Sequence, residues 1–179
     1  DLLHLPAYSL LRKPLADAAL DAVTRTRRQG GLVTVDLASV GPLIERGRRA
    51  VEATIAGIEP DVLFGTADEA RVLQPGRSVE TLLDHSPVVV VKRGMHGATL
   101  LARGDGAANV LRFDIATRSV RATDTTGAGD AFDAGFLTAW LDARRTGSPL
   151  PSALRRAAVA GHRAATRQLT SPRTELVLA

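Results

Sequence analysis

Residues 88–91 are four consecutive valines, preceded by Pro87 and followed by Lys92-Arg93-Gly94. A β-branched run without polar alternation cannot leave one face in water, so it predicts a strand buried on both faces. Such strands belong to parallel sheets, whose connections must cross over, usually as helices. The chain supplies both parts. Short apolar strands are expected at Leu2–Leu5, Leu32–Val35, Asp61–Phe64, Pro87–Val91, Ala98–Ala102 and Val110–Asp114. Apolar residues at helical spacing predict helices over Pro14–Arg28, Pro42–Ile58, Thr66–Leu73 and Pro151–Leu169, with a short one at Val79–Leu83. Another runs from about Asp130 to about Arg144. Leu43, Ile44, Val51, Ile55 and Ile58 can share one core-facing stripe of the second. The alternation predicts an α/β fold with a mainly parallel sheet covered by helices.

Length and composition narrow the class. At 179 residues and 45% hydrophobic content the chain can bury a core, and one domain, 1–179, is enough. It begins Asp-Leu-Leu-His, with no initiator Met, and reads as the interior of a longer polypeptide. No apolar run reaches the ~20 residues of a membrane span. Cysteine is absent. That excludes disulfides, thiol nucleophiles and Cys-based zinc sites and agrees with a reducing, cytoplasmic location. Net charge is +4, but the basic residues, nearly all arginine, fall in small groups inside helix-like segments. Aromatics are only 3%. This is the pattern of solvated helix faces rather than of a nucleic-acid surface.

The chemistry concentrates at 124–135. Gly127 and Gly129 flank Ala128 directly before an amphipathic helix, and Asp130 lies in its first turn. The first N–H groups of a helix lack internal partners and sit at the positive end of its dipole. Small residues leave them uncovered, which makes an anion cradle. A carboxylate is stabilised as the anion there, yet repels a resting phosphate. The placement makes sense if Asp130 accepts the proton of a hydroxyl attacking a phosphoryl group. The plainer reading, a helix-start acid beside a tight turn, stays open on these residues alone. Two phosphate loops fail. No Gly-x-x-x-x-Gly-Lys-Ser/Thr occurs, and Phe132 stands where a dinucleotide fingerprint needs its third glycine.

The full string Asp124-Thr-Thr-Gly-Ala-Gly-Asp-Ala-Phe-Asp-Ala-Gly135 resembles the second signature of the PfkB/ribokinase family of carbohydrate kinases. Asp36 at a strand end, Asp61-Val-Leu-Phe with Ala-Asp-Glu69-Ala, and Val88–Val91 with Lys92-x-Gly94-x-x-Gly97 are similar in order and spacing to other family segments. The resemblance spans nearly the whole chain but only the C-terminal portion of a typical member. It implies a ribokinase-like three-layer α/β/α sandwich without its N-terminal part and lid, and ATP-dependent phosphorylation of a sugar or nucleoside hydroxyl. By resemblance Asp130 is the catalytic base, and Gly127, Ala128 and Gly129 form the anion hole. Lys92, Arg93, Gly94 and Gly97 form the ATP-contacting turn, with strand-end solvation the bland alternative for the two cations. Glu69 organises Mg²⁺, which is compatible with the capping box that Thr66 and Glu69 also spell. Asp36 is either an acid behind the metal or a strand-end residue.

The sequence departs from the family at three places. Thr66 stands for the usual Asn, and His162 for an Asn near the adenine site, where a plain surface or core histidine is the alternative. Gln168-Leu169-Thr170-Ser171 lacks the glycine of the monovalent-cation loop, so a monovalent cation stays open and potassium dependence is not claimed. The expected ligands are ATP, Mg²⁺ and a small sugar or nucleoside, with no nucleic acid and no membrane. A homodimer is the assembly considered. The alternative function is a truncated, non-catalytic module that binds a nucleotide or a partner chain; a dinucleotide-dependent oxidoreductase is the remote third.

Overall fold

The computed structural model describes residues 1–104 and 109–171. The chain divides into two compact units, Asp1–Gly94 with Ala98–Asp114, and Met95–Gly97 with the residues from Ile115 onward.

The first unit holds a six-stranded sheet in the order β1-β2-β3-β4-β5-β6. The strands are β1 (Leu2–Pro6), β2 (Leu32–Asp36), β3 (Val62–Thr66), β4 (Val88–Lys92), β5 (Ala98–Arg103) and β6 (Val110–Ile115). The pairs β1–β2, β2–β3 and β3–β4 are parallel, with Leu3 opposite Val33, Val35 opposite Leu63 and Leu63 opposite Val89. Helix α1 (Leu15–Arg28) connects β1 to β2, α2 (Val40–Arg46) and α3 (Arg48–Ile58) connect β2 to β3, and α4 (Ala67–Leu73) follows β3. After β4 the connection is too short to cross over, so β5 returns antiparallel, Val90 facing Leu100.

The valine run behaves as its composition requires. Val89 and Val91 join Val33, Val35, Leu63 and Leu101 in the core under the helices, together with Val23 of α1, Ile55 of α3 and Leu73 of α4. Residues of opposite parity, Thr34, Phe64, Val90 and Leu100, are fully buried too. Each apolar side chain so buried stabilises the fold by about 1.5–3 kcal/mol relative to exposure.

The helix expected over Pro42–Ile58 is two helices. Gly47 adopts φ +83°, outside the helical region, and separates α2 from α3. The break changes the phase of the apolar stripe. Leu43, Val51, Ile55 and Ile58 are buried, whereas Ile44 is 64% exposed.

The second unit is dominated by α5 (Ala128–Arg145) and α6 (Leu150–Thr170). Their contact is built on glycine and alanine. A Cβ on Gly135 would come within 2.7 Å of the Ala164 methyl, and one on Gly161 within 2.9 Å of the Phe132 ring. Phe132, Phe136 and Trp140 of α5 and Leu154 and Ala158 of α6 are buried. No helix among the described residues is long and apolar enough to cross a membrane.

Candidate active site

The start of α5 is built by a turn that uses some backbone groups and spares others. Asp124 Oδ1 accepts the Thr126 N–H at 2.8 Å. The Ala128 N–H donates to the Thr125 carbonyl at 3.2 Å. Gly127 caps the helix at φ +77°, a left-handed conformation that favours glycine, and its carbonyl accepts the Ala131 N–H at 2.9 Å. Among the described residues, the N–H groups of Gly129 and Asp130 have no backbone acceptor. Ala128 is thus engaged in its own turn, while the Gly129 and Asp130 donors stay uncovered. Asp130 is exposed in the first helical turn beside them. A Cβ on Gly127 would stand 3.2 Å from the Gln168 amide nitrogen, which donates to the Thr126 carbonyl at 3.4 Å. Gln168 thus braces the tip from α6.

The same unit carries a cavity of about 490 Å³ between residues 116–118 and α6. His162 lines it with Thr117, Arg118, Val159, Arg163 and Thr166. The His162 ring meets Phe132 edge-on, with centroids 5.0 Å apart, and its Nε2 is buried with no hydrogen-bond partner. Desolvation holds its pKa below the usual histidine range, partly offset by a hydrogen bond with the backbone of Ile115. The ring is therefore neutral at pH 7, a form that can both donate and accept.

In the first unit, polar groups gather at the carboxyl ends of β2, β3 and β4, the edge where open α/β sheets bind ligands. The Lys92 ammonium lies 3.0 Å from Asp36 Oδ2 and 5.9 Å from the centre of the Phe64 ring. Both charged side chains are almost wholly buried. Asp36 Oδ1 is buried with no hydrogen-bond partner. One strand along, Thr66 and Glu69 form the expected capping box: Glu69 N–H donates to Thr66 Oγ1 at 3.2 Å, and Thr66 N–H to Glu69 Oε2 at 2.7 Å. Glu69 is itself buried.

No group of three or more His, Asp or Glu among the described residues is arranged to hold a metal. Mg²⁺ does not require one. It keeps several waters and takes one or two carboxylates plus phosphate oxygens. Asp36, at the end of β2, and Glu69, in the first turn of α4, are the carboxylates of this edge that could meet such an ion.

Thus Asp36, Thr66, Glu69, Lys92, Arg93 and Gly94 belong to the first unit, and Gly97, Gly127, Ala128, Gly129, Asp130 and His162 to the second. Gly97 takes φ +87°, and a Cβ there would lie 2.0 Å from the Ile115 carbonyl oxygen, so the turn requires glycine. Arg93 departs from the strand on the side opposite Lys92 and pairs with Asp114 at 3.2 Å. Sequence reasoning read Gln168 only as part of a monovalent-cation loop, whereas it lies in α6, and it did not single out the cavity residues Arg163 and Thr166. Val159 and Thr166, three residues before and four after His162, were the available signal, whereas Arg163 is its immediate neighbour.

Comparison with known proteins gives the chain's family and fold. The family described as pfkB family carbohydrate kinase matches residues 1–175. An acarbose 7(IV)-phosphotransferase of Actinoplanes sp. is 39% identical over 79 residues, which is 44% of this chain and 24% of that protein. Fructokinase from Vibrio cholerae, solved with fructose, ADP and calcium, superposes with TM-score 0.74 at 23% identity, over 95% of this chain and 55% of its own. Aminoimidazole riboside kinase from Salmonella enterica, in complex with its riboside and an ATP analogue, gives TM-score 0.76 at 22% identity, over 97% and 57%. A putative ribokinase II from E. coli, in complex with ATP and Mg²⁺, gives TM-score 0.68 at 27% identity, over 95% and 55%. The fold is thus the ribokinase-like α/β fold, and the chain spans about a quarter of the curated relative and somewhat over half of these solved structures. With the family profile extending over residues 1–175, this chain belongs to the pfkB family of carbohydrate kinases.

Proposed function

We propose that the protein transfers the γ-phosphoryl group of ATP to a hydroxyl of a sugar or nucleoside. The observation that carries this reading is the start of α5, where unengaged N–H groups and an exposed carboxylate share one helical turn. The acceptor oxygen attacks the γ-phosphorus, the bond from that phosphorus to the β,γ-bridging oxygen breaks, and ADP leaves. Asp130 takes the proton of the attacking hydroxyl. The Gly129 and Asp130 amides, preorganised by the Gly127 turn, hold the charge that develops on the phosphoryl oxygens. Little covalent work is asked of the protein, since positioning and electrostatics dominate phosphoryl transfer.

The other residues bind and orient. His162 and the cavity beside it receive the adenine base; with the ring N–H engaged at Ile115, Nε2 is left as an acceptor. Gly94 and Gly97 let the backbone approach the phosphates closely. Lys92 holds Asp36 in place, and Thr66 does the same for Glu69. Mg²⁺, when bound with its nucleotide, neutralises phosphate charge, and Asp36 and Glu69 would hold it largely through water. The name of the acarbose relative and the fructose and riboside of the solved neighbours support a carbohydrate-type acceptor.

The test is an assay of ADP release against a panel of sugars, sugar derivatives and nucleosides. Acceptor-dependent release that requires Mg²⁺ is expected. Nucleotide binding with no transfer to any acceptor would leave a binding module in place of a kinase.

A further inference from the structure

Lys92 and Arg93 are adjacent, yet they serve opposite faces of the sheet. Lys92 lies with Asp36 and Phe64. Arg93 lies on the side of Val91, under the helices, and lines a cavity of about 270 Å³. The floor of that cavity is apolar, from Ala70, Leu82 and Val91. Its polar wall is made by four arginines, Arg71, Arg77, Arg93 and Arg112, together with Gln74, Ser78 and Thr99, and no carboxylate residue lines it.

Four acids partner these arginines from outside the lining. Asp68 pairs with Arg71, and Asp84 lies 3.8 Å from Arg77. Asp114 lies 3.2 Å from Arg93 and 3.3 Å from Nε of Arg112, and Glu80 pairs with Arg112. Asp114 is further tied by the Thr99 hydroxyl, which donates to it at 2.6 Å, and Asp84 is shared with Arg103. A guanidinium has five N–H donors, and these pairs use only part of each set. Nε of Arg93 is buried without any acceptor. Half-exposed ion pairs of this kind contribute little to stability, so they do not by themselves account for four cations drawn from α4, the segment after it, the end of β4 and β6. Arginine forks are suited to the paired oxygens of phosphate.

We infer that this cavity is a second anion site, separate from the Asp36–Lys92 face, which takes a small dianionic phosphate, either inorganic phosphate or the phosphate group of a small monoester. The apolar floor accommodates a short carbon skeleton in the second case. The inference does not depend on phosphoryl transfer.

The experiment follows the arginine Nε–H signals of ¹⁵N-labelled protein during titration with inorganic phosphate and, separately, glycerol 3-phosphate, at constant ionic strength set with chloride. Saturating shifts of the Arg93 and Arg112 signals are expected with at least one of the two, and the tighter one identifies the source. The double variant Arg77→Met/Arg112→Met should weaken saturation tenfold or more, while the backbone amide signals away from the cavity stay those of the parent protein. Arg77 and Arg112 are each nearly half exposed, so the fold should tolerate their replacement. Arg112→Lys, which keeps the charge and loses the fork, should fall between. Shifts that stay linear and track ionic strength, or saturation unchanged in the double variant, would overturn the proposal.

Discussion

The Lys92 ammonium stands 3.0 Å from Asp36 across the carboxyl ends of two strands that are not neighbours, since β3 runs between them. The ion pair is therefore a tie across three strands, closed over the Phe64 ring. Its partners are 12% and 7% exposed, so neither charge is solvated without the other. Lys92→Met is expected to cost about 3–5 kcal/mol, the range for stranding one member of a buried pair. Lys92→Met/Asp36→Leu should recover a large part of that loss. Urea unfolding of the four proteins in the cycle measures the coupling, and strictly additive losses would mean that the pair does not form.

Gly94 and Gly97 bound one turn and both have positive φ, but their surroundings differ. A Cβ on Gly94 meets nothing within 4 Å, whereas one on Gly97 would lie 2.0 Å from the Ile115 carbonyl oxygen. Gly94→Ala should cost about 1–2 kcal/mol, the price of a left-handed alanine. Gly97→Ala should cost clearly more, about 3 kcal/mol or above, because backbone must move. Equal shifts in the unfolding midpoint would show that the Gly97–Ile115 approach is not maintained.

What the sequence made legible was local. The capping box could be read from Thr66 and Glu69 three residues apart, and the valine run announced a two-sided strand. Both are decided by neighbours in the chain. The helix over Pro42–Ile58 was misread because an apolar stripe carries no mark of its own interruption. Gly47 could have been a tolerated helical glycine, and only its φ of +83° shows that the stripe restarts. Strand alternation could have separated Lys92 from Arg93, but the partners could not be named from spacing. Asp36 lies 56 residues from Lys92, and the pairing depends on the order in which strands lie in the sheet.

His162 links stability to pH. Desolvation holds its pKa below the ordinary 6.5, so the unfolded chain binds the proton more readily than the folded one. Stability should therefore fall as pH drops below about 6.5 toward the folded-state value, and be unaffected by this group above it. His162→Gln should flatten that part of the profile. Denaturant midpoints at pH 7.5 and 5.5 for both proteins are the measurement, and an identical pH loss in the variant would assign the slope to other groups.

The central claim is that the helical tip at Gly127–Asp130 is where phosphoryl transfer occurs, with Asp130 as the base. The most direct measurement is single-turnover transfer from ATP by Asp130→Asn alongside nucleotide affinity. The amide leaves the turn and its N–H donors in place but cannot accept the proton. Transfer should slow by about 10²–10⁴-fold, with ATP affinity changed only a few-fold. A variant that transfers phosphate at nearly the original rate would contradict the account.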